Sequence, residues 1–110
     1  MKIGFENPRH KRLANDFGAL SKKYDRRQHG VSDDIIDTLN VLAAADSLAD
    51  VPRAFRPHPL KAKLKGLFAV DVNRTHRVIF RPDHDDENFR IDQYKTITSI
   101  VIIELYKDYH

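Results

Sequence analysis

The residues best suited to chemistry lie in one stretch, residues 58–81, which reads HPLKAKLKGLFAVDVNRTHRVIFR. It begins with His58, continues with lysines at alternate positions, and ends in two strand-like runs that carry arginines. Fixed positive charge at this density is typical of a surface that binds a polyanion, and we predict that the polyanion is RNA. The cationic residues expected to contact RNA phosphates are Lys61, Lys63, Lys65, Arg74 and Arg81.

The apolar residues of this stretch predict two antiparallel strands joined by a short turn. Side chains alternate between the two faces of a strand, so one face of the hairpin is apolar and the other carries Arg77 and Arg81. The predicted apolar face holds Phe68, Val70, Val72, His76, Val78 and Phe80. Asn73 and Arg74 lie between the runs and form the turn, because asparagine tolerates the left-handed conformations that short hairpin turns need.

The size and composition predict a single domain spanning residues 1–110. At 12.8 kDa, with 41% hydrophobic and 32% charged residues, the chain can bury one modest core. No run reaches the ~20 apolar residues that a membrane helix needs, and the first ten residues lack the apolar stretch of a signal peptide. We therefore expect a cytoplasmic protein with no membrane partner. The absence of cysteine excludes disulfides, thiol catalysis and cysteine-containing zinc sites.

Charge is distributed in blocks along the chain, although the net charge is only +3. Residues 1–32 carry a net charge of +5, residues 33–50 of −5, residues 51–81 of +7 and residues 82–110 of −4. This alternation favours a polarised surface over a uniformly basic one. A polarised surface steers a polyanion towards one side of the protein, with a strong dependence on salt.

Two helices are predicted before the strands. Asn7 and Pro8 are a typical helix start, and the first helix ends near residues 24–27. The second begins at Ser32, which serves as its cap ahead of two aspartates, and ends before Pro52. The buried stripes are Leu13, Phe17, Leu20 and Tyr24 in the first helix, and Ile35, Leu39, Leu42 and Ala43 in the second.

Two further strands complete the predicted elements. Residues 2–6 are a candidate edge strand, and residues 97–106 are apolar on both faces, as in a central strand. The acidic segment 83–98 has no clear periodicity, and residues 83–87 lack the glycine and the spacing of a calcium loop, so no metal site is expected. The predicted fold is α+β, with two N-terminal helices packed on one face of a small, mainly antiparallel β-sheet.

Several segments carry a likeness to a known family. They are residues 56–61 (RPHPLK), the run from Gly66 to Asn73 followed by Arg77 within a strand, and the closing residues 108–110 (DYH). Together they resemble the HigB-type branch of the RelE/ParE toxin superfamily, the killer proteins of plasmid maintenance. The resemblance covers most of the chain. It departs from the family pattern at His76, where an aromatic residue is usual, and in the longer, more acidic segment 83–98.

The resemblance implies a RelE/ParE-like toxin that cuts mRNA on the ribosome and is held inactive by a helix-turn-helix antitoxin. Such an enzyme would be a metal-independent endonuclease with no cofactor, and its partners would be mRNA, the ribosome and the antitoxin. The active-site group that the resemblance implies is His58, Arg77, Asp108, Tyr109 and His110, with Asn73 and Lys61 as further RNA-binding candidates.

These residue types suit metal-free RNA cleavage. The reaction needs a base for the 2′-hydroxyl, an acid for the leaving oxygen and fixed positive charge for the transition state. His58 and His110 suit the two proton transfers, and Arg77 can hold phosphate oxygens in a bidentate manner. Asp108 could orient an imidazole or act as base. Tyr109 could stack on a nucleobase or donate its hydroxyl.

Other functions are compatible with the same sequence. The superfamily also contains non-enzymatic gyrase inhibitors of the ParE type, and a basic face can bind RNA without turnover. Taken alone, His58 could be a loop residue, Arg77 a solvated strand position, and residues 108–110 a frayed tail. The cleavage hypothesis requires that the carboxyl-terminal tripeptide folds back beside the cationic hairpin, within reach of the same phosphodiester.

Overall fold

The computed structural model describes residues 1–109. Its strands are β1 (Lys2–Phe5), β2 (His58–Pro59), β3 (Phe68–Asp71), β4 (His76–Pro82) and β5 (Ser99–Asp108). Its helices are α1 (Pro8–Ala14), α2 (Phe17–Tyr24) and α3 (Val31–Ala44), and 3₁₀ turns lie at Leu48–Asp50, Arg53–Phe55, Ala62–Leu64 and Tyr94–Thr96. Among residues 1–109, no helix has both the length and the apolar character needed to cross a membrane.

The five strands form one mixed sheet in the order β1-β5-β4-β3-β2. β1 pairs with β5 in parallel, and the other three pairings are antiparallel. The predicted edge strand and central strand are both confirmed, since β1 lies at one edge and β5 lies between β1 and β4. The β4–β5 register shifts between Arg77 and Ile79 and again between Ile79 and Phe80. The strand β5 is continuous, but its pairing with β4 is irregular at these positions.

The hydrophobic core lies between the helices and one face of the sheet. Leu20 and Ile35 from the helices are fully buried against strand residues such as Phe68 and Phe80. On the opposite face only a smaller cluster is buried, and it contains Leu60, Ala69 and Ile79. The predicted α+β fold with helices on one face is therefore confirmed, with three helices where two were predicted. The second face is left largely open, and we term it the outer face.

The first predicted helix is two helices, because Asn15 and Asp16 interrupt it. The Asn15 side-chain amide donates to the Lys11 carbonyl oxygen at 2.8 Å, and the Asp16 carboxylate accepts from the Ala19 amide at 3.1 Å. Short polar side chains of this kind cap helix ends more readily than they continue a helix. As a result Phe17 begins α2 and is 49% exposed, so its predicted place in the buried stripe is wrong.

The start of the second predicted helix is also different. α3 begins at Val31 behind Gly30, which adopts a φ of 86° that glycine tolerates without strain. Ser32 lies inside the helix, and its amide and hydroxyl donate to the carboxylate of Asp25 rather than capping α3. These hydrogen bonds, that of the Ser32 hydroxyl above all, lower the pKa of Asp25. Ala43, predicted to be buried, is exposed.

The β3–β4 turn spans residues 72–75 and is longer than the predicted two-residue turn. The Asn73 side-chain oxygen accepts from the backbone amides of Thr75 at 3.0 Å and His76 at 2.9 Å. Within residues 1–109, positive φ angles outside glycine occur at Arg56 and Ala62, so the predicted left-handed turn at Asn73 is wrong. Side-chain hydrogen bonds from asparagine form the turn in its place.

Candidate active site

Five polar or aromatic side chains converge on the outer face at the end of the β3–β4 hairpin. We term them the outer-face site, and they are Arg56, His58, Asp71, Arg77 and Tyr109. They come from the loop before β2, from three strands and from the residue after β5. Three of them, His58, Arg77 and Tyr109, belong to the active-site group that the sequence predicts.

The hairpin register places Arg77 beside Asp71. The two are cross-strand partners, and so are Ala69 and Ile79, which belong to the apolar cluster of the outer face. Side chains two residues apart on a strand share a face, so Arg77 follows Ile79 onto the outer face. β2 adds His58 as the partner of Ala69, and His58 therefore lies on this face as well.

His58 is oriented by the backbone that precedes it. Its Nδ1 atom lies 2.6 Å from the carbonyl oxygen of Arg56. A carbonyl oxygen only accepts hydrogen bonds, so Nδ1 is the protonated nitrogen and donates. In the neutral imidazole this leaves the lone pair on Nε2. His58 is thus held in the tautomer that a general base requires.

Tyr109 ties the carboxyl-terminal segment to the hairpin. Its backbone amide donates to the Thr75 carbonyl oxygen at 3.0 Å, and its hydroxyl donates to the Asp71 carboxylate in a short hydrogen bond. Arg56 contributes a second contact to the same carboxylate, with 3.7 Å between its Nε and the other carboxylate oxygen. The predicted fold-back of the carboxyl-terminal segment therefore holds for Tyr109.

The ring of Tyr109 lies against two cation-forming side chains. The Arg77 guanidinium carbon is 4.7 Å from the ring centroid, which is the geometry of a cation–π contact. The His58 ring is nearly parallel to the phenol, at 11° and 6.5 Å between centroids. Tyr109 thus orients Arg77 and His58 towards the same part of the outer face.

Arg77 retains hydrogen-bonding capacity. Within residues 1–109 its buried Nε has no hydrogen-bond partner, and the guanidinium is held through its face by the tyrosine ring. Because this Nε is buried, a ligand on the outer face would meet the charge of the guanidinium rather than this donor. A phosphate group offers several hydrogen-bond acceptors and matches the guanidinium fork.

The environment of Tyr109 makes ionisation of its phenol harder. Burial, followed by its hydrogen bond to the negatively charged Asp71, raises the pKa of Tyr109 to about 12, although Arg56 and Arg77 act in the opposite direction. The phenol is therefore a hydrogen-bond donor and an aromatic surface, and it is not a phenolate base.

One predicted active-site residue that the structure describes, Asp108, is not part of this cluster. Asp108 pairs in register with His76, and 4.0 Å separates its carboxylate from His76 Nε2. His76 alternates with Arg77 along β4 and lies on the helix side of the sheet, where it stacks on Tyr106. Asp108 is therefore placed with His76 and not with Arg77. His110 lies outside the described residues.

The predicted RNA-binding cations are spread more widely. The 3₁₀ turn Ala62–Leu64 precedes β3, and the three lysines in and next to it, Lys61, Lys63 and Lys65, are exposed. Arg74 is exposed in the hairpin turn. Arg81 lies at the far end of β4, where its Nε is 3.9 Å from the Glu6 carboxylate. The Asn73 side chain is engaged in the turn and also donates to the Tyr106 hydroxyl at 2.8 Å.

Sequence reasoning missed Arg56 and Asp71. Asp71 is the single acidic residue between residues 51 and 81, and the predicted alternation placed it on the same face as Arg77. A lone carboxylate inside a cationic strand was the signal that could have identified it. Arg56 stands two residues before His58 in the RPHPLK segment, but its backbone carbonyl contact could not be predicted from spacing.

The sequence matches no family model and no curated protein. Among solved structures, the chain is similar to the YoeB-YefM complex from Staphylococcus aureus, with a TM-score of 0.56 and 17% identity over 100% of this chain and 97% of that chain. A heterotetrameric YoeB-YefM toxin-antitoxin complex from the same organism gives a TM-score of 0.54 and 18% identity over 100% and 97% of the two chains.

A YoeB/ParE toxin from Agrobacterium tumefaciens is also similar, with a TM-score of 0.51, 15% identity and coverage of 100% of both chains. Three helices packed on a five-stranded mixed sheet are thus the fold of YoeB/ParE-type toxins, and this chain shares that fold.

Proposed function

We propose that the chain is the toxin of a type II toxin–antitoxin module and that it cuts mRNA on the ribosome without a metal ion. The observation that carries the proposal is the convergence of His58 and Arg77 on Tyr109 at one place on the outer face. A base with an open nitrogen and a guanidinium with unused hydrogen-bonding capacity are the two groups that 2′-hydroxyl attack on a phosphodiester needs first. The shared fold with YoeB/ParE-type toxins supports the same assignment.

Each group has a defined part in the proposed reaction. His58 Nε2 removes the proton from the 2′-hydroxyl, and the 2′-oxygen then attacks phosphorus. The bond from phosphorus to the 5′-oxygen breaks, which gives a 2′,3′-cyclic phosphate and a free 5′-hydroxyl. Arg77 binds the non-bridging oxygens, where negative charge increases in the transition state, and its action does not require a metal.

We assign the protonation of the leaving 5′-oxygen to His110, since the sequence suits His58 and His110 to the two proton transfers without deciding which is the acid. His110 directly follows Tyr109, the residue at the centre of the cluster. Tyr109 positions Arg77 and His58, and Asp71 holds the Tyr109 hydroxyl. The predicted role of Asp108 as an orienting group or base remains a separate proposal, because Asp108 lies beside His76.

The test is induced expression of the wild-type chain and of His58→Ala, Arg77→Ala and His110→Ala, with primer extension on translated messages. We expect the wild type to arrest growth and cut mRNA. Loss of an acid–base group lowers cleavage by roughly 10²–10⁴-fold, and loss of the transition-state cation by roughly 10²–10³-fold. Arg12→Ala, which removes an exposed arginine from α1, is the matched control and leaves cleavage unchanged.

Growth arrest that persists in all three variants without mRNA cleavage would exclude the ribonuclease. That result would favour the alternative of a ParE-like gyrase inhibitor, which the shared fold with a YoeB/ParE toxin keeps in consideration. Binding of RNA without cleavage by the wild type would favour an RNA-binding module. A gyrase supercoiling assay on the purified protein separates these two outcomes.

The proposed partner is an antitoxin with a helix-turn-helix domain. The similar YoeB structures from Staphylococcus aureus are solved as complexes with YefM. We expect a small reading frame beside the gene whose product relieves the growth arrest when co-expressed. Co-purification with the tagged toxin tests this directly, and failure of every neighbouring frame to relieve the arrest would contradict it.

A further inference from the structure

A second cleft lies on the opposite side of β4 from the outer-face site. It has a volume of about 400 Å³, and its lining includes Lys23, Tyr24, Arg26, Arg27, His76 and Tyr106. We term it the helix-side cleft. The end of α2 forms one wall, and the beginning of β4 with the end of β5 forms the other. None of the reaction steps assigned above uses it.

The residues that line the cleft are mainly cationic. Within residues 1–109 the lining contains three cations, Lys23, Arg26 and Arg27, and no carboxylate, while the Asp108 carboxylate lies 4.0 Å from Nε2 of the lining residue His76. Asp25, the acidic residue adjacent to Arg26, is engaged by Ser21 at 2.7 Å and by the amide of Ser32 at 2.8 Å. Tyr24 adds no negative charge, because burial and then the nearby carboxylate of Glu104 raise the pKa of its phenol.

The aromatic wall of the cleft is pre-organised. The rings of His76 and Tyr106 stack at 3.8 Å between centroids and 3° between planes, and Tyr24 meets Tyr106 edge-on at 5.5 Å. The Tyr106 hydroxyl accepts from the Asn73 side chain at 2.8 Å, and Thr75 Oγ1 lies 2.8 Å from His76 Nδ1. Rings fixed in this way lose little conformational entropy when a ligand stacks on them.

We propose that the helix-side cleft binds a nucleotide of single-stranded RNA, with the phosphate held by Lys23, Arg26 and Arg27 and the base placed against the tyrosine and histidine rings. Cations that follow a phosphate, next to aromatic surfaces, are the usual means of binding single strands without sequence readout. Val31 is the one aliphatic residue of the lining, which disfavours a peptide that anchors itself with leucine or isoleucine.

The geometry connects this cleft to the outer-face site. His76 and Arg77 are consecutive, so one strand position supplies the cleft and the next supplies the outer face. The hairpin turn lies beside both, with Arg74 exposed upon it. An RNA strand that passes over this turn contacts the outer-face site with one nucleotide and the helix-side cleft with a flanking one. The inference rests on the proposed function only in taking RNA as the ligand.

The test measures binding rather than cleavage. A fluorescein-labelled 12-nucleotide oligouridylate is titrated with the His58→Ala protein, which cannot cut it under the mechanism above, and anisotropy is followed over a salt series. In that background, adding Arg26→Ala with Arg27→Ala raises Kd about tenfold. The same change makes the dependence of log Kd on log salt shallower by about 1.4, since each lost phosphate contact removes ~0.7 for a single strand. Adding Arg12→Ala, which removes an arginine outside the cleft, leaves both values unchanged.

Tyr106→Leu tests the stacking part separately. It raises Kd about fivefold without changing the salt slope, because it removes a ring and no charge. Tyr24→Leu is measured as a second ring variant. Because Tyr24 and Tyr106 both pack against the core, the unfolding midpoint of each variant is recorded. Affinity that is unchanged in the arginine pair and in every folded ring variant overturns the proposal.

Competition identifies the ligand class. Oligoadenylate displaces the probe at micromolar concentration, whereas a 12-residue polyglutamate peptide does so only at low salt. Displacement by the peptide alone would overturn the proposal and assign the cleft to an acidic protein partner. The two proposals fail separately. If His58→Ala abolishes cleavage but the arginine pair binds RNA like the wild type, the enzyme proposal stands and the cleft proposal fails. If His58→Ala still cleaves but the arginine pair binds RNA more weakly, the enzyme proposal fails and the cleft proposal stands.

Discussion

Two sites built from the same residue types lie back to back at the start of β4. Each contains a histidine, a tyrosine and at least one arginine, yet they differ in which atoms are left open. In the outer-face site, no hydrogen bond from residues 1–109 engages His58 Nε2 or Arg77 Nε, while the tyrosine hydroxyl donates to Asp71. In the helix-side cleft the rings of His76 and Tyr106 are fixed by stacking on one another, and the cationic side chains beside them are exposed.

The difference shows that residue type alone does not determine chemistry. His58 is tied through Nδ1 to a carbonyl, which leaves a basic nitrogen, whereas both nitrogens of His76 face other side chains, Thr75 and Asp108. The outer-face site is therefore suited to proton transfer and to transition-state charge. The cleft is suited to binding the ground state, and mutations in the two sites should change different kinetic constants.

Among the variants that compare the two sites, the largest expected effect comes from Arg77→Lys. Lysine keeps the charge but loses the planar fork that matches a phosphate, so kcat falls roughly 10²-fold while KM stays within about twofold. The Arg26→Ala, Arg27→Ala pair should show the converse, with KM raised about tenfold and kcat retained. Single-turnover cleavage of a programmed ribosome measures both constants.

A matched control for this comparison is Arg90→Lys, a conservative change at an exposed arginine in segment 83–98. It should leave kcat and KM as in the wild type. If Arg77→Lys instead raised KM with kcat unchanged, both sites would be binding surfaces. The distinction between the two faces of β4 would then be lost.

How far the sequence predicts these two sites depends on the strand pattern. Alternation along residues 76–81 correctly separates the face of Val78 from the face of Arg77. It was not the basis for Asp108, which only the family resemblance placed in the active-site group. The β4–β5 register pairs Asp108 with His76, on the opposite face from Arg77. Two register shifts interrupt the same pairing, and a period of two does not indicate where such a shift occurs.

The helix-side cleft could not be predicted for a related reason. The sequence indicates one helix through residues 15 and 16, and it places Arg26 and Arg27 at the frayed end of that helix. In the structure Asp25 accepts hydrogen bonds from Ser32, which brings the end of α2 against the start of α3. Ser32, which the sequence predicts to cap a helix, instead makes this tertiary contact with Asp25. The position of Arg26 and Arg27 in the cleft wall depends on that contact.

The next largest effect is expected from changes to Tyr109, which contributes to the outer-face site and not to the helix-side cleft. Tyr109→Leu removes the ring beneath Arg77 and should lower kcat about tenfold, within the range of a partly buried cation–π contact. Tyr109→Phe keeps the ring and should cost less, about threefold, since only the Asp71 hydrogen bond is lost. Both changes are measured in the single-turnover assay. Equal losses in the two variants would assign the effect to the hydroxyl.

Tyr109→Phe also gives a pH test. The pKa of Tyr109 is raised to about 12, so its contribution to stability is complete below pH 10 and is lost as the pH rises towards 12. The stability difference between wild type and Tyr109→Phe should therefore be constant from pH 7 to about 9.5 and should shrink above pH 10. Urea midpoints across this range measure it. A difference that shrinks already near pH 8 would contradict the protonated phenol.

A smaller effect is expected from Asp108→Asn, the variant that most directly tests how the two sites divide. Because Asp108 lies beside His76, we expect cleavage to fall less than tenfold, and we expect His76→Phe with Asp108→Asn to cost no more than the larger single change. The measurement is the same cleavage assay on the two single variants and the double variant. A loss as large as that of Arg77→Ala would return Asp108 to the active-site group.

The smallest expected effect comes from Asp25→Asn, which loosens the wall of the helix-side cleft without touching either set of rings. The asparagine cannot accept as strongly from Ser32 and Ser21, so the positions of Arg26 and Arg27 become less fixed. RNA affinity should fall about twofold, and kcat should not change. The Asp25 pKa is lowered from 3.8, so its stabilising effect is present above that pH and is lost as the pH falls through the lowered value.

Urea unfolding at pH 7 and at pH 3 checks the Asp25 prediction, with Asp37→Asn on the exposed side of α3 as the matched loss of a carboxylate. Asp25→Asn should be less stable than Asp37→Asn at pH 7, and the gap should narrow at pH 3. If RNA affinity fell equally in both variants, the effect would reflect overall charge. If RNA affinity fell in Asp25→Asn alone, the contact between α2 and α3 would be what holds Arg26 and Arg27 in place. The helix-side cleft would then depend on a tertiary hydrogen bond, as the outer-face site depends on the bond between Tyr109 and Asp71.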